Sequence, residues 1–261
     1  MSTKNEKYTV SGGLTLTLEN LWAEVHVIDG QSGVATVKLD GDEKLLKQIH
    51  ISCNAHQVTI KGEGGENGGS TVIYGRGNSV VSVGNIRGGN IVVDGKLVVL
   101  DGKVISGEGD DVTVVESGKM PVITVEVPKG TDLEVYDVQW LTSKGLGGGV
   151  DVYLSGTSKA TITDANGMNV KCSGQSQCVV ENAAGNFKAV TSGQAGVDII
   201  GNFDDVDAKC SGQSYIYIDG KCHNFNGETS GQSHIFVSRG ATGLISQRNN
   251  SSMSRISVRQ G

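Results

Sequence analysis

Residues 171–237 read KCSGQSQCVVENAAGNFKAV TSGQAGVDIIGNFDDVDAKC SGQSYIYIDGKCHNFNGETS GQSHIFV, and this stretch decides the fold. The tripeptide Ser-Gly-Gln begins at Ser173, Ser192, Ser211 and Ser230, so it recurs every 19 residues. A fixed period near this length is the sequence signature of a solenoid. Since parallel crossovers are overwhelmingly right-handed, we predict an all-β protein, a right-handed parallel β-helix or β-solenoid with turns of about 19 residues.

Apolar residues stand five and seven places after each of these serines, and the residues around them are mixed. Because strand side chains alternate between two faces, the apolar set is predicted to point inward. That set comprises Cys178, Val180, Val197, Ile199, Ile216, Ile218, Ile235 and Val237. Equivalent residues in successive turns should stack at about 4.8 Å, the spacing between neighbouring strands.

A second inward set is predicted fourteen and sixteen places after each serine, so that each period holds two short strands. Its members are Phe187, Val206, Phe225 and Leu244, then Ala189, Ala208, Gly227 and Ser246. Gly201, Gly220 and Gly240 fall between the two strands, where we expect turns with positive φ.

The solenoid is predicted to extend over residues 120–261. An earlier copy of the repeat lies at Ser155–Ser158, with Ala160 and Ile162 inward, and a degenerate last turn lies at residues 255–259. Residues 1–61 alternate apolar and polar side chains between turn signals, so they are predicted to form the first strands and a cap. Within them, residues 42–48 could form one helical turn.

Residues 62–119 are predicted to form a Gly-rich link and a β-hairpin arm. Asp94-Gly95 and Asp101-Gly102 each separate β-rich runs within residues 86–105, and Asp-Gly favours a type I′ turn. The run 97–100 is apolar on both faces, so the arm either packs on its own solenoid or pairs with a second subunit to make a homo-oligomer. Residues 106–119 are acidic and are predicted to form a loop with one short strand.

Charge and hydropathy exclude several classes of partner. The net charge is −6 and no Lys/Arg cluster exists, so a nucleic-acid partner is not expected. No apolar run approaches the roughly 20 residues of a membrane span. The first ten residues lack the apolar core of a signal peptide, which predicts a cytoplasmic protein for the chain as given. The bacterial cell envelope or the extracellular space is the alternative if a leader was removed.

No metal site, cofactor site or catalytic residue is predicted. The five cysteines form no disulfide framework and are expected to be buried free thiols, with a metal or redox role as the alternative. Asp205 and Asp207 align with Asn224 and Asn226 one turn later, which favours a solvated corner over calcium binding. The Gly-rich residues 62–70 lack the lysine of a phosphate-binding loop, so no nucleotide is predicted either.

Three segments together resemble a known bacterial family. They are LTLTLENLWAEVHVIDG through HISCNAHQVTIKG near the start, ITVEVPKGTDLEV before the repeats, and the Ser-Gly-Gln turns followed by alternating apolar residues. In this order they are similar to the family described as putative auto-transporter adhesin, head GIN domain. The resemblance implies a β-helical fold, a location at the bacterial envelope and no established catalytic residues.

The candidate binding site is the outward set Tyr215, Tyr217, His234 and Phe236, which is predicted to lie on two adjacent turns. Exposed aromatic faces bind sugar rings or apolar patches of a partner; the arm or the N-terminal block could instead cover them. We therefore predict a non-catalytic adhesin-like β-solenoid whose repetitive surface binds a glycan or a protein. A self-associating structural module is the alternative. A polysaccharide-active enzyme comes third, because the repeats carry no long loops bearing carboxylates.

Overall fold

A computed structural model of the chain describes residues 2–63 and 120–260 and, between them, the backbone of four short strands. The chain divides into two compact units. The larger comprises residues 1–63 with 120–261, and the smaller comprises residues 64–119.

The described part of the chain is almost entirely β-structure, with one short helix, α1 (Glu43–Leu46). Before residue 64 the strands are β1 (Ser2–Thr9), β2 (Thr15–Glu19), β3 (Glu24–Asp29), β4 (Val34–Gly41), β5 (Ile49–Cys53) and β6 (Gln57–Gly62). The smaller unit holds β7 (Val92–Val93), β8 (Lys96–Leu97), β9 (Val99–Leu100) and β10 (Lys103–Val104). After residue 119 come β11 (Val122–Val127), β12 (Asp132–Tyr136), β13 (Trp140–Lys144), β14 (Val150–Leu154), β15 (Lys159–Thr163), β16 (Asn166–Cys172), β17 (Gln177–Thr191), β18 (Gly196–Cys210), β19 (Tyr215–Thr229), β20 (His234–Ala241), β21 (Ile245–Asn249) and β22 (Arg255–Gln260).

Stacked parallel strands form a β-solenoid with turns of about 19 residues, as the repeat predicts. Two ladders of strands run along it. Sheet 1 stacks β6, β2, β12, β14 and β16, then the second halves of β17, β18 and β19, then β21. Sheet 2 stacks β11, β3, β13 and β15, then the first halves of β17, β18 and β19, then β20 and β22.

The interior is a set of side-chain columns along the axis. Val197 pairs with Ile216, and Ile216 pairs with Ile235, and each is at most 1% exposed. The sequence-based assignment of the inward set is therefore confirmed. Burying one such side chain contributes about 1.5–3 kcal/mol, but only when the next turn covers it, because a single turn cannot close its own interior.

The second inward column is correct up to Phe225 and wrong in the last coil. Phe225 pairs with Ile245, not Leu244, and Leu244 is 80% exposed. Ser246 likewise pairs with the outward Asn226. One additional residue before β21 shifts the register, and because strand faces alternate, a one-residue shift exchanges inside and outside.

Each central coil contains one bent strand of 15 residues, β17, β18 or β19, and not two short strands. Among the predicted turn glycines, Gly240 has a positive φ of 91°, but Gly201 and Gly220 do not. Close stacking explains them instead: a Cβ at Gly220 would lie 1.6 Å from the carbonyl oxygen of Gly201. The bend is narrow enough that only hydrogen fits between successive turns.

The Ser-Gly-Gln turn is stabilised by hydrogen bonds within the turn and to the next turn. In the turn beginning at Ser211, Gly212 has φ of 74°, and the Ser214 hydroxyl donates to the Ser211 carbonyl over 2.6 Å. The amide side chain of Gln213 donates to Gln232 of the next turn over 3.3 Å. Each turn is thus closed internally and linked to its neighbour.

Strands β2 and β3 form one coil that lies between two others. On one side β2 pairs with β6 and β3 with β11, and on the other β2 pairs with β12 and β3 with β13. Against β6 and β11 lie the antiparallel strands β5 and β4, and β1 pairs with β4. The predicted helical turn is present as α1, where the Asp42 carboxylate accepts from the Lys44 amide as an N-cap. The buried Leu46 packs this turn on the core.

In the smaller unit, β7 pairs with β8 and β9 pairs with β10, both antiparallel and both across two-residue connections. The two hairpins predicted at the Asp-Gly pairs are therefore confirmed as strand pairings. The rest of the predicted Gly-rich link after residue 63 and the acidic loop 106–119 lie outside the described residues. The three-part division of the chain and the packing partner of the arm stay predictions.

Candidate functional site

Exposed large apolar side chains are concentrated on one surface. In the described part of the chain there are six: Trp140, Ile200, Tyr215, Tyr217, Leu244 and Met253. The first four all lie on the outer face of sheet 2, and the last two lie on the terminal coil. We call the outer side of sheet 2 from Trp140 to Phe236 the aromatic face. The outer side of sheet 1 carries none of the six.

The four residues of the predicted site are brought together on this face. Tyr215 pairs with His234, and Tyr217 pairs with Phe236 on the next turn. The rings of Tyr217 and Phe236 are stacked, with centroids 5.3 Å apart and planes 7° apart. Each of these two rings therefore covers one face of the other, and both tyrosines remain more than a third exposed.

Tyr215 is held differently from Tyr217. Its ring lies over Gly196 of the preceding turn, where a Cβ would come within 2.4 Å of the ring. Its hydroxyl donates to the Asp198 carboxylate over 2.8 Å, and the Gln177 amide donates to the same hydroxyl over 3.4 Å. Burial and the bond to Asp198 raise the pKa of Tyr215 above its ordinary value. The ring is thereby fixed against the sheet while 37% of the residue stays exposed.

A groove of about 300 Å³ borders the aromatic face where the coils bend. Its lining includes Asn182, Ile200, Asn202, Asp219 and Arg239. Hydrogen bonding from the Ser238 hydroxyl, with the charge of Arg239, lowers the pKa of the Asp219 carboxyl. The sequence did not reveal this groove, because its residues come from four coils and have unlike side chains even where they share a repeat position, as Ile200 and Asp219 do. The signal that could have indicated it was an isoleucine at an outward position, Ile200.

A second aromatic pair lies on the outer side of sheet 1, and the sequence analysis missed it too. The rings of Tyr136 and Tyr153 are stacked at 5.0 Å, and the Lys171 ammonium lies 4.8 Å from the Tyr153 centroid. The Asn169 amide donates to the Tyr153 hydroxyl over 3.2 Å. Burial and nearby carboxylates raise the pKa of Tyr136. This pair precedes the regular Ser-Gly-Gln repeats, so no period marked it.

The acidic corner is arranged as the sequence predicts. Asp205 accepts from the Asn224 amide over 2.8 Å, and Asp207 accepts from the Asn226 amide over 3.0 Å. These carboxylates stabilise contacts between turns. Across residues 2–63 and 120–260, no three His, Cys, Asp or Glu side chains form a group that could hold a metal ion.

All five cysteines are free thiols, and four of them are buried, as expected; Cys53 is half-buried. Burial raises the pKa of Cys172 to about 12 and that of Cys178 well above its ordinary value. Since the thiolate is the reactive form, these interior thiols are poor nucleophiles. The Cys210 sulfur instead lies 3.0 Å from the Thr191 hydroxyl, within the stack under the Ser-Gly-Gln turns.

Comparison with known proteins gives a family and a fold. The family model described as putative auto-transporter adhesin, head GIN domain, matches residues 99–252. A solved putative adhesin from Bacteroides fragilis is 11% identical, with 98% of this chain and 96% of that chain covered and a TM-score of 0.51. A putative adhesin from Parabacteroides distasonis is 9% identical, with 98% and 97% covered and a TM-score of 0.46. A search of the curated proteins found no match.

Within the described ranges, no helix has the length and hydropathy needed to cross a membrane.

Proposed function

The chain belongs to the putative auto-transporter adhesin, head GIN domain, family, and from that premise we propose that it is a non-catalytic, adhesin-like β-solenoid that binds a glycan through its aromatic face. The observation that carries the proposal is Tyr215. Its ring is fixed over Gly196 by the hydrogen bond to Asp198, yet more than a third of the residue is open to solvent. An apolar ring face beside hydrogen-bonding groups suits a sugar, which has apolar C–H faces and a polar rim.

The neighbours of Tyr215 supply that polar rim. Gln177 and Asp198 form hydrogen bonds with the Tyr215 hydroxyl, and His234 is its partner on the next turn, so that together they offer amide, carboxylate and imidazole groups. Because Tyr215 is already ordered in the free protein, binding it costs little additional side-chain entropy. A preformed surface of this kind fits a binding protein, and the interior thiols and paired corner carboxylates described above provide no arrangement of nucleophile and base.

The test uses a glycan array followed by titration calorimetry with the best-binding oligosaccharide. Tyr215→Ala should weaken binding about tenfold or more, the equivalent of 1.4 kcal/mol. Tyr153→Ala is the matched control, because it removes a tyrosine of the same fold from the other sheet and should leave affinity unchanged. Equal affinities for wild type and Tyr215→Ala, with circular dichroism unchanged, would refute the proposal.

We further propose that the protein acts at the bacterial cell envelope or outside the cell, where an adhesin meets its glycan, and not in the cytoplasm. Family membership supports this location. Fractionation of the native host with an antibody to the solenoid tests it: recovery only from the cytosol would rule out the extracytoplasmic location.

Self-association is a second candidate, favoured by the terminal coil. Among the strands that the structure describes, β21 pairs only with β19 and β22 only with β20, and Leu244 and Met253 are 80% and 59% exposed beside them. Open strand edges with exposed apolar side chains favour pairing with another chain. Light scattering tests it: a monomer at high protein concentration would exclude self-association, whereas a dimer lost in Leu244→Asp would support it.

A further inference from the structure

The aromatic face has two exposed rings in a single column of residues. From Trp140 the column continues through Lys159, Gln177 and Gly196 to Tyr215 by direct parallel pairing. Trp140 is 47% exposed and Tyr215 is 37% exposed. Four steps of about 4.8 Å separate the two residues along the axis, so their Cα atoms lie about 19 Å apart.

Tyr215 brings its ring closer to Trp140 than this spacing implies. The ring lies over Gly196, one turn nearer to Trp140, which leaves about three steps, or about 14 Å, between the two aromatic levels. This distance is too long for one sugar ring and suits a chain of several. A ligand that uses both rings must therefore lie along the solenoid axis.

The surface between the rings is polar and nearly neutral. The column of Trp140 carries Lys159 and Gln177 there, and the adjacent column carries Thr142, Thr161, Val179 and Asp198. One ammonium and one carboxylate balance each other in formal charge, and the hydroxyl and amide groups donate or accept hydrogen bonds. Such a strip matches a ligand that is uncharged and rich in hydroxyl groups.

We infer that the aromatic face holds an extended, uncharged, β-linked oligosaccharide along the solenoid axis, with one sugar over Tyr215 and another against Trp140. The inference rests on the proposed glycan-binding function and adds the ligand's charge, shape and direction. Equatorially linked sugar chains are extended ribbons, whereas axially linked chains coil away from a flat surface. Parallel strands that carry rings at both ends of one column therefore favour the extended kind.

The experiment measures affinities by titration calorimetry for cellobiose and cellohexaose, for chitobiose and chitohexaose, and for maltose and maltohexaose. We expect cellohexaose or chitohexaose to bind wild type about tenfold tighter than its disaccharide, or 1.4 kcal/mol, and maltohexaose to gain nothing over maltose. Trp140→Ala should abolish the gain with chain length, so that the hexasaccharide binds no tighter than its disaccharide. Trp140→Phe should restore part of the gain, which a general loss of folding would not allow.

Each outcome bears on one of the two proposals. A chain-length gain that Trp140→Ala retains, or no gain in either extended series, overturns the axial track, while a loss of binding in Tyr215→Ala still supports the glycan site. Binding of maltohexaose as tight as that of the extended chains overturns the selection for β-linkage. No binding of any of the six probes overturns the uncharged ligand and leaves the glycan array to test the function itself.

Discussion

Both outer faces of the solenoid carry stacked aromatic rings, but in the described part of the chain the aromatic residues that are more than a third exposed all lie on sheet 2. On sheet 1, Tyr136 and Tyr153 stack on each other, and Lys171 covers the free side of Tyr153. On sheet 2, Tyr217 and Phe236 stack in the same way, but no ring contact is found for Tyr215 or Trp140 among the described residues, and these two are 37% and 47% exposed. Stacking between turns uses ring faces for stability, so it removes them from the surface available to a ligand.

The difference comes from outward residues alone, because the two faces share one interior. Successive turns repeat the same parallel register, so a residue outward on one turn is followed by an outward residue on the next. A tyrosine above another tyrosine stacks; a tyrosine above a glycine lies down on the sheet. Gly196, the partner of Tyr215 on the preceding turn, is the residue that leaves room for the Tyr215 ring to lie against the sheet.

The largest effect is expected from a substitution in the interior that both sheets share, because it destabilises the two faces together. Ile216→Asp places an unpaired charge in the dry interior that sheet 1 and sheet 2 share, and we expect it to lower the free energy of unfolding by more than about 4 kcal/mol. Urea denaturation followed by circular dichroism measures the change. The adjacent outward substitution Tyr217→Asp is the control and should cost far less; equal losses in both variants would show that the inward assignment is wrong.

The second-largest effect is expected from the substitution that displaces the Tyr215 ring from its place over Gly196. Gly196→Ala adds a Cβ within 2.4 Å of the Tyr215 ring, and because that ring can swing outward, we expect a stability loss under about 1 kcal/mol but about a tenfold loss of glycan affinity. In Gly201→Ala the Cβ meets the Ala183 carbonyl oxygen at 2.1 Å, which cannot yield. That variant should lose stability instead. Unchanged glycan binding in Gly196→Ala would show that Gly196 is not needed for the glycan site.

A smaller effect distinguishes the contribution of the Tyr215 ring to glycan affinity from that of its hydroxyl. Tyr215→Phe keeps the ring and loses the bond to Asp198, so binding should weaken by roughly 1 kcal/mol. Because the pKa of Tyr215 is raised above 10.0, the hydroxyl's contribution is fully present below that pH and is lost as the pH rises through the raised value. Affinities of wild type and variant should therefore converge in alkaline solution, and a constant difference across that range would contradict the role given to the hydroxyl.

The smallest effect concerns the closed face. Lys171→Met removes the cation over the Tyr153 ring and should lower stability by about 0.5–1 kcal/mol. Glycan affinity should stay at the wild-type value, because sheet 1 has no part in the site. Thermal unfolding gives the first quantity and calorimetry the second. Weaker glycan binding in this variant would show that the ligand contacts the outer side of sheet 1, contrary to the proposal.

The sequence predicted what the period controls. The inward columns through Val197 and Ile216 and the outward group of Tyr215, Tyr217, His234 and Phe236 follow from counting residues after each serine, because parallel stacking repeats the count in space. Counting failed at Leu244, where one inserted residue reverses the two faces.

The sequence did not reveal features that depend on how a side chain leans across turns. Trp140 and the pair Tyr136 and Tyr153 precede the regular repeats, so no spacing connected them to the later coils. The corner groove collects residues from four coils, and Ile200 and Asp219 share a repeat position but have unlike side chains. The period aligns Gly196 with Tyr215, but it could not show that the ring leans back over Gly196 and not toward His234 on the next turn.

The most direct test of the difference between the two faces is an NMR spectrum of the whole protein with isotope-labelled tyrosine rings. It is recorded with and without the best-binding oligosaccharide of the array. The six tyrosine signals can be assigned from single Tyr→Phe variants. We predict that the Tyr215 signal shifts on binding while those of Tyr136 and Tyr153 do not. Shifts at Tyr136 and Tyr153 with Tyr215 unchanged would contradict the account.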